Sequence, residues 1–132
     1  MQSLAFVAPM IPGKTDMDRA ALQSCANGKR QPAHEASRKR AGISREAVWI
    51  QSTPGGDFAV VYLEADDLQV AFAALSASPD PFDSWFREHT LEAHGIDLAN
   101  GFPPLEQALD SAVRTQARRA RRPPRERGRR LR

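Results

Sequence analysis

The amino-acid sequence predicts a small α+β domain, an antiparallel sheet with helices packed on one face, and three observations carry that prediction. Residues 45–53 and 57–65 are rich in β-branched and aromatic side chains and flank Pro54-Gly55-Gly56, a turn of hairpin length. Before the hairpin, an apolar stretch at 4–11 runs into a segment with helical spacing and acidic residues in its first turn. After it, two segments open on aspartate and carry apolar stripes at helical intervals. At 132 residues the chain has room for one domain and one hydrophobic core.

Taken in order, residues 3–9 form a strand with Leu4 and Phe6 on one face and Ala5 and Val7 on the other. Pro12-Gly13 turns the chain, and Thr15 caps a helix with Asp16 and Asp18 near its N-terminus. Its stripe is Met17, Ala20, Ala21, Leu22 and Cys25, and Asn27-Gly28 ends it. Pro32 suits the first turn of a second, mostly polar helix (His34, Glu35, Arg38, Lys39, Arg40) that stops at Gly42. In the hairpin, pairing Thr53 with Asp57 puts Val48, Ile50, Val60 and Tyr62 on one face and Trp49, Val61 and Leu63 on the other. Asp66 or Asp67 caps a helix with Leu68, Ala71, Phe72 and Leu75 inward, broken by Ser78-Pro79. Asp80-Pro81 opens another, with Asp83 placed to complement its N-terminal amides. Phe82, Trp85, Phe86, His89 and Ala93 line one side of it up to Gly95. Residues 96–98 are expected to form a fourth strand and 105–113 a closing helix.

The resulting order, β-α-β-β-α-β, is that of a ferredoxin-like sheet, whose helices cover one face. The run from Phe58 to Leu63 is apolar on both faces, so the uncovered face calls for a partner. A second copy is the expected cover, and a monomer shielded by its C-terminal helix is the alternative.

The residues also resemble an uncharacterised bacterial family of small proteins related to the dimeric α+β barrel superfamily. The matching stretches are Pro12-Gly13-Lys14, Ser37-Arg38-x-Arg40-x-Gly42-Ile43, Glu46-x-Val48-Trp49-Ile50-Gln51 and Thr53-Pro54-x-Gly56-Asp57. They continue through Tyr62-x-Glu64, Asp80-Pro81-Phe82-Asp83-x-Trp85-Phe86 and His94-Gly95-Ile96-Asp97-Leu98. The resemblance spans residues 4–110 and implies a homodimer of barrel type. The wider superfamily includes cofactor-free monooxygenases, haem-degrading enzymes, muconolactone-type isomerases and ligand-binding regulators. It therefore implies a fold, and no catalytic residue set comes with it.

The net charge of +3 hides an asymmetry: residues 1–113 hold nine Lys and Arg against fifteen Asp and Glu, whereas 114–132 hold ten Arg against one Glu. A basic pI thus argues for nucleic acid only in the tail. With Pro123-Pro124, Gly128 and few aliphatics, that tail is expected to be disordered. It is a polyanion-binding arm, a solvated extension, or an incidental extension of the reading frame in a G+C-rich gene, and it has no aromatic residue to stack on bases. No apolar run approaches the roughly 20 residues of a membrane helix, and the N-terminus lacks the basic flank and cleavage pattern of a signal peptide. A single cysteine, Cys25, supports neither an internal disulfide nor a CxxC site and is expected to be buried and inert. The expected location is the cytoplasm, with no membrane partner.

Several motifs bear on chemistry. Ala8-x-x-x-x-Gly13-Lys14-Thr15 meets a relaxed phosphate-loop pattern, but Pro9 and Pro12 remove two of the amides such a loop needs, and the hairpin makes the sheet antiparallel. It reads as a turn and a helix start. His34, His89 and His94 form no HxxxH or HExxH pattern, so neither a metal nor a cofactor is expected, and Glu88, His89 and Glu92 have the spacing of a solvated helix face. His94, at a helix C-terminus, either caps it or lies beside the sheet. Arg38 and Arg40, with Lys39 between them, either form a solvated helix face or one of the two arginines turns inward to pair with Glu46 or Glu64 at the sheet edge.

The pairing above also puts Glu46, Tyr62 and Glu64 on one face, with the two carboxylates opposite each other. They call for a cation, a shared proton or an opening to water, unless both sit at an exposed sheet edge. In the pocket reading Glu64 and His94 are the candidate acid–base groups. Arg38 orients an anionic group of the ligand, Glu46 is a further binding residue, and Tyr62 with the Trp49 or Trp85 indole supplies apolar walls. The expected function is binding of a small organic ligand in a dimeric α+β barrel. The alternatives are a cofactor-free monooxygenase- or isomerase-like enzyme and a polyanion-binding protein acting through its tail.

Overall fold

In chain order the elements are β1 (Gln2–Pro9), α1 (Thr15–Ala26), α2 (Gln31–Ala41), β2 (Ile43–Thr53), β3 (Gly56–Ala65), α3 (Leu68–Ala77) and α4 (Pro81–His94). The computed structural model that gives them describes residues 1–101 and 105–113. The expected disordered tail, 114–132, lies outside the described residues.

The three strands form one antiparallel sheet in the order β1-β3-β2. The hairpin forms where its turn residues require, but one residue tighter than the sequence predicts. Thr53 pairs with Gly56 instead of Asp57. Gly56 takes φ 127°, a value that side chains rarely adopt. The Thr53 hydroxyl accepts from Gly55 N at 3.2 Å and donates to Gly56 O at 2.7 Å, closing the turn early.

A shift of one residue exchanges the faces of one strand relative to the other. Val48 therefore pairs with Val61 and Trp49 with Val60. Val48, Ile50, Ala59, Val61 and Leu63 share the inner face with Leu4, Phe6 and Ala8, while Trp49, Val60, Tyr62 and Glu64 share the outer face with Ala5 and Val7. The grouping of Val48 with Tyr62 and of Trp49 with Leu63 is thereby corrected.

The helix boundaries follow their caps. Asp67 accepts from Val70 N at 3.1 Å and Asp80 from Phe82 N at 2.9 Å, and Gly42 and Gly95 end α2 and α4 in the left-handed conformation at φ 78° and 69°. Thr15 is not a cap. It is the first helical residue, and its hydroxyl donates to Asp57 Oδ2 at 2.7 Å, while Lys14 pairs with Glu92 at 3.2 Å. Both residues of the apparent phosphate loop are thus held in contacts within the fold. Asp83 differs too. Its buried carboxylate takes hydrogen bonds from Ser37, from Ser78 at 2.5 Å and from Arg40 at 3.2 Å, which fastens α2 to α4. Burial pushes the Asp83 carboxyl up, but these donors outweigh it and hold it below the usual range.

Two expected elements do not form. Asp97 captures the amide of Ala99 at 3.0 Å and bends the chain into a 3-10 turn, Leu98–Asn100, so residues 96–98 add no fourth strand. Residues 105–113 are not helical, and Leu105, Leu109 and Val113 are exposed. A nine-residue segment is too short to hold a helix without a face to pack on. No helix among the described residues is long and apolar enough to cross a membrane.

The fully buried core is small: Ala41, Ile43, Leu63, Ala65 and Ala71 form one cluster, and Ala8, Met10 and Ala59 another. Leu63→Ala is expected to cost about 2–5 kcal/mol in urea unfolding, because the side chain is 3% exposed at the centre of the larger cluster. Arg45→Ala, at an exposed outer-face position, should stay within about 0.5 kcal/mol of the parent.

Candidate functional site

Larger side chains of the inner face, Phe6, Val48 and Val61, remain half-buried, as do Phe72 of α3 and Phe86 of α4. The reason is a space they all line, a cavity of about 700 Å³ between sheet and helices. That volume lies in the range of small-molecule sites, and the walls have the mixture such sites use, mainly apolar with a few convergent polar groups.

At one end α1 and α4 bring together Asp18, His89 and His94. Asp18 is 2% exposed. Its Oδ1 accepts from His89 Nε2 at 2.7 Å and lies 3.5 Å from His94 Nε2, while Oδ2 has no partner among the described residues. His94 Nδ1 donates to the carbonyl of Pro9, at the end of β1, at 3.0 Å. Burial pushes the Asp18 carboxyl up, but the hydrogen bonds and charges of the two histidines outweigh it and bring its pKa to about 2. Burial likewise pushes His94 down, but Asp18 and the Pro9 carbonyl more than offset this, and its pKa is raised. The His89 ring is held by a stack. Trp85, one helical turn earlier, lies parallel to it with centroids 5.5 Å apart, and the Arg30 guanidinium sits 4.1 Å from the Trp85 ring centre.

A second polar group comes from α2 and β2. Arg38 is buried and grips Glu46 with Nε at 2.9 Å and Nη2 at 3.3 Å, and its Nη1 donates to Ser37 at 3.0 Å. His34 reaches the same carboxylate at 2.9 Å, and Phe86 lies under the guanidinium at 4.6 Å. Burial pushes Glu46 up, but His34 and Arg38 outweigh it and lower its pKa to about 2.

Of the residues singled out from the sequence, Arg38, Glu46 and His94 stand in the cavity wall. Arg38 takes the inward of its two options. Trp49, Tyr62 and Glu64 lie on the other side of the sheet, where Tyr62 donates to Glu64 at 2.7 Å, Arg45 pairs across the strands with Glu64, and Trp49 is 57% exposed. The facing pair of Glu46 and Glu64 does not exist, because the hairpin register places Leu63 opposite Glu46. Trp85 stands behind His89 and outside the wall.

Asp18 and His89 were missed as site residues. From the sequence, Asp18 is a helix-dipole residue, and His89 falls both on the apolar side of its helix and in a Glu88, His89, Glu92 triplet with the spacing of a solvated face. The available signal was that His89 continues the Phe82, Trp85, Phe86, Ala93 stripe, while its acidic neighbours Glu88 and Glu92 are exposed. Cys25 is buried, as expected, and burial pushes its thiol up. No group of three or more His, Cys, Asp or Glu among the described residues is arranged to hold a metal ion.

Asp18 and Glu46 have lowered folded pKa values, so each stabilises the fold above its unfolded value near 4 and loses that contribution as pH falls through about 2. Each is expected to be worth on the order of 2–3 kcal/mol. Urea midpoints should therefore fall between pH 4.5 and 2, and Glu46→Gln should flatten part of that fall. His94 has the opposite sign: it stabilises below 6.5, and its contribution disappears as pH rises through its raised folded value. An NMR titration should place His94 above 6.5, and Asp18→Asn should bring it down. No protein-family model, curated protein or solved structure matches the chain, so the chemistry of this cavity carries the functional argument.

Proposed function

We propose that the chain binds a small, mainly apolar organic molecule in the cavity between sheet and helices. The observation that carries this is the cavity itself, about 700 Å³ walled by Phe6, Val61, Phe72 and Phe86 with its polar groups gathered at Asp18–His89 and Arg38–Glu46. Protein interiors pack at crystal-like density, and a void among large apolar side chains costs stability unless a ligand fills it.

The same proposal includes a second copy of the chain across the outer sheet face, in a ferredoxin-like, dimeric α+β barrel arrangement. Val7 and Trp49 are 56% and 57% exposed there beside Ala5, Ala47 and Val60, an apolar surface on the side away from the helices. The β1-β3-β2 order supports it as far as three strands can, and the resemblance of the sequence points the same way. The buried lone cysteine suits the reducing cytoplasm.

An enzyme of cofactor-free monooxygenase or isomerase type is the second reading, favoured by the Asp18–His89 hydrogen bond, since a carboxylate behind an imidazole is how a base is oriented. Turnover lost in His89→Gln with ligand affinity kept would identify it. Polyanion binding through 114–132 would show as binding to DNA that weakens steeply with salt and vanishes when those residues are removed.

An NMR fragment screen on the full chain is the direct test. Hits should shift amides at Val61, Phe72, Phe86 and His89. Hits confined to Trp49, Tyr62 and Glu64 would place binding on the outer face and overturn the proposal. Light scattering at micromolar concentration should give a dimer mass, reduced to a monomer by Trp49→Glu. A stable monomer for the unsubstituted chain would remove the barrel arrangement.

A further inference from the structure

We infer that His89 is the polar anchor of the cavity, an acceptor at Nδ1 for the single O–H or N–H donor of an otherwise apolar, uncharged ligand. The inference rests on the cavity being a ligand site and specifies what that ligand must carry. A neutral imidazole has one N–H and one lone pair, and an ionised carboxylate can only accept. Asp18, 2.7 Å from Nε2, therefore draws the ring proton to Nε2 and leaves the lone pair at Nδ1.

Nδ1 makes no hydrogen bond to a described residue and is not among the buried polar atoms closed off from solvent, and His89 belongs to the cavity wall. The ring is not free to exchange the two nitrogens. Trp85 stacks on it, and turning it over would leave the buried Asp18 carboxylate without its closest donor.

The histidine, arginine and threonine donors around the wall are already committed, and the amides of Gln2 and Gln69 belong to the start of β1 and of α3, whereas His94 is tied to Pro9 at the end of β1. His94 is held by Asp18 and Pro9, Arg38 by Glu46 and Ser37, Arg87 by the carbonyls of Leu75 and Ser78, and Thr90 by the carbonyl of Phe86. What the wall offers a ligand is an acceptor. No open carboxylate waits for a cationic donor: Glu46 and Asp83 are matched by Arg38 and Arg40, Asp18 is bonded through Oδ1 to His89 and lies near His94 while its Oδ2 is closed off from solvent, and Arg87 faces the cavity with only neutral oxygens as partners.

The test uses two probes that differ in one donor, 2-naphthol and 2-methoxynaphthalene, added to the 15N-labelled full chain at pH 8. The naphthol should bind about tenfold tighter or more, the size expected for one hydrogen bond in a water-poor site. The Nδ1 resonance of His89 should start as an unprotonated nitrogen and move on adding the naphthol but not its ether. In His89→Phe, which keeps a ring against Trp85, the two probes should bind within about twofold of each other. If that variant does not fold, the two probes and the nitrogen resonance on the unsubstituted chain decide the matter.

Equal affinities with shifts at Val61, Phe72 and Phe86 would overturn the anchor and leave the cavity proposal standing. A proton found on Nδ1 in the free protein, or a preference for the naphthol that survives in His89→Phe, would also overturn the anchor. Silence of those amides toward both probes would remove the anchor and the cavity proposal together.

Discussion

The pairing register of the β2–β3 hairpin decides what every other part of this molecule faces. β3 is the central strand, bonded to both neighbours, so its alternation sets the inner and outer faces of the whole sheet. With Thr53 opposite Gly56, Val61 and Leu63 look toward the helices, and Tyr62 and Glu64 look away. A ladder one residue out of step would set Glu46 on the same side as Glu64 and send the cavity wall to the outside. The register is held locally, by the φ of 127° at Gly56 and by a threonine hydroxyl that satisfies two backbone groups of the turn. The alternation of apolar residues does little to fix it, because β3 is apolar on both faces.

On that frame, three carboxylates organise the helices. Asp83 joins α2 to α4, Glu46 joins the sheet to α2, and Asp18 joins α1 to α4, each through at least two partners. A carboxylate buried alone would cost several kcal/mol, so each partner set is obligatory once the chain has committed the acid to the interior. The stabilising network and the polar end of the cavity are consequently the same atoms. Asp18 illustrates this: the hydrogen bond that makes its burial tolerable also fixes which nitrogen of His89 bears the lone pair.

The apolar part of the interior is arranged differently. The residues that are fully buried are mostly small, Ala8, Ala41, Ala59, Ala65 and Ala71 among them, while the phenylalanines stand around an open space. Small residues where sheet and helices touch bring the backbones close at those points, and large ones elsewhere hold the layers apart. A cavity results from that distribution without any unusual backbone feature, and its charged lining comes from helices α1, α2 and α4, whose polar residues turn inward, together with Glu46 of β2.

By itself the sequence determined the elements whose causes are local. The hairpin, the aspartate caps of α3 and α4, the glycine stops of α2 and α4, the breaks at Asn27-Gly28 and Ser78-Pro79, and the burial of Cys25 all depend on residues within a few positions of one another. The inward alternative for Arg38 was also legible, because an arginine near the end of a helix and a glutamate at the start of the next strand are already neighbours.

Tertiary structure decided the rest. A one-residue difference in the turn is worth little locally but exchanges whole faces, which moved Trp49, Tyr62 and Glu64 to the outside and brought Glu46 opposite Leu63. Residues 96–98 and 105–113 needed a partner strand or a packing face to become regular structure, and no local pattern supplies one. The Asp18–His89 pair joins residues 71 positions apart, so neither one's neighbours identify it. Only the packing of α1 against α4 gives the aspartate its donor and the histidine its orientation.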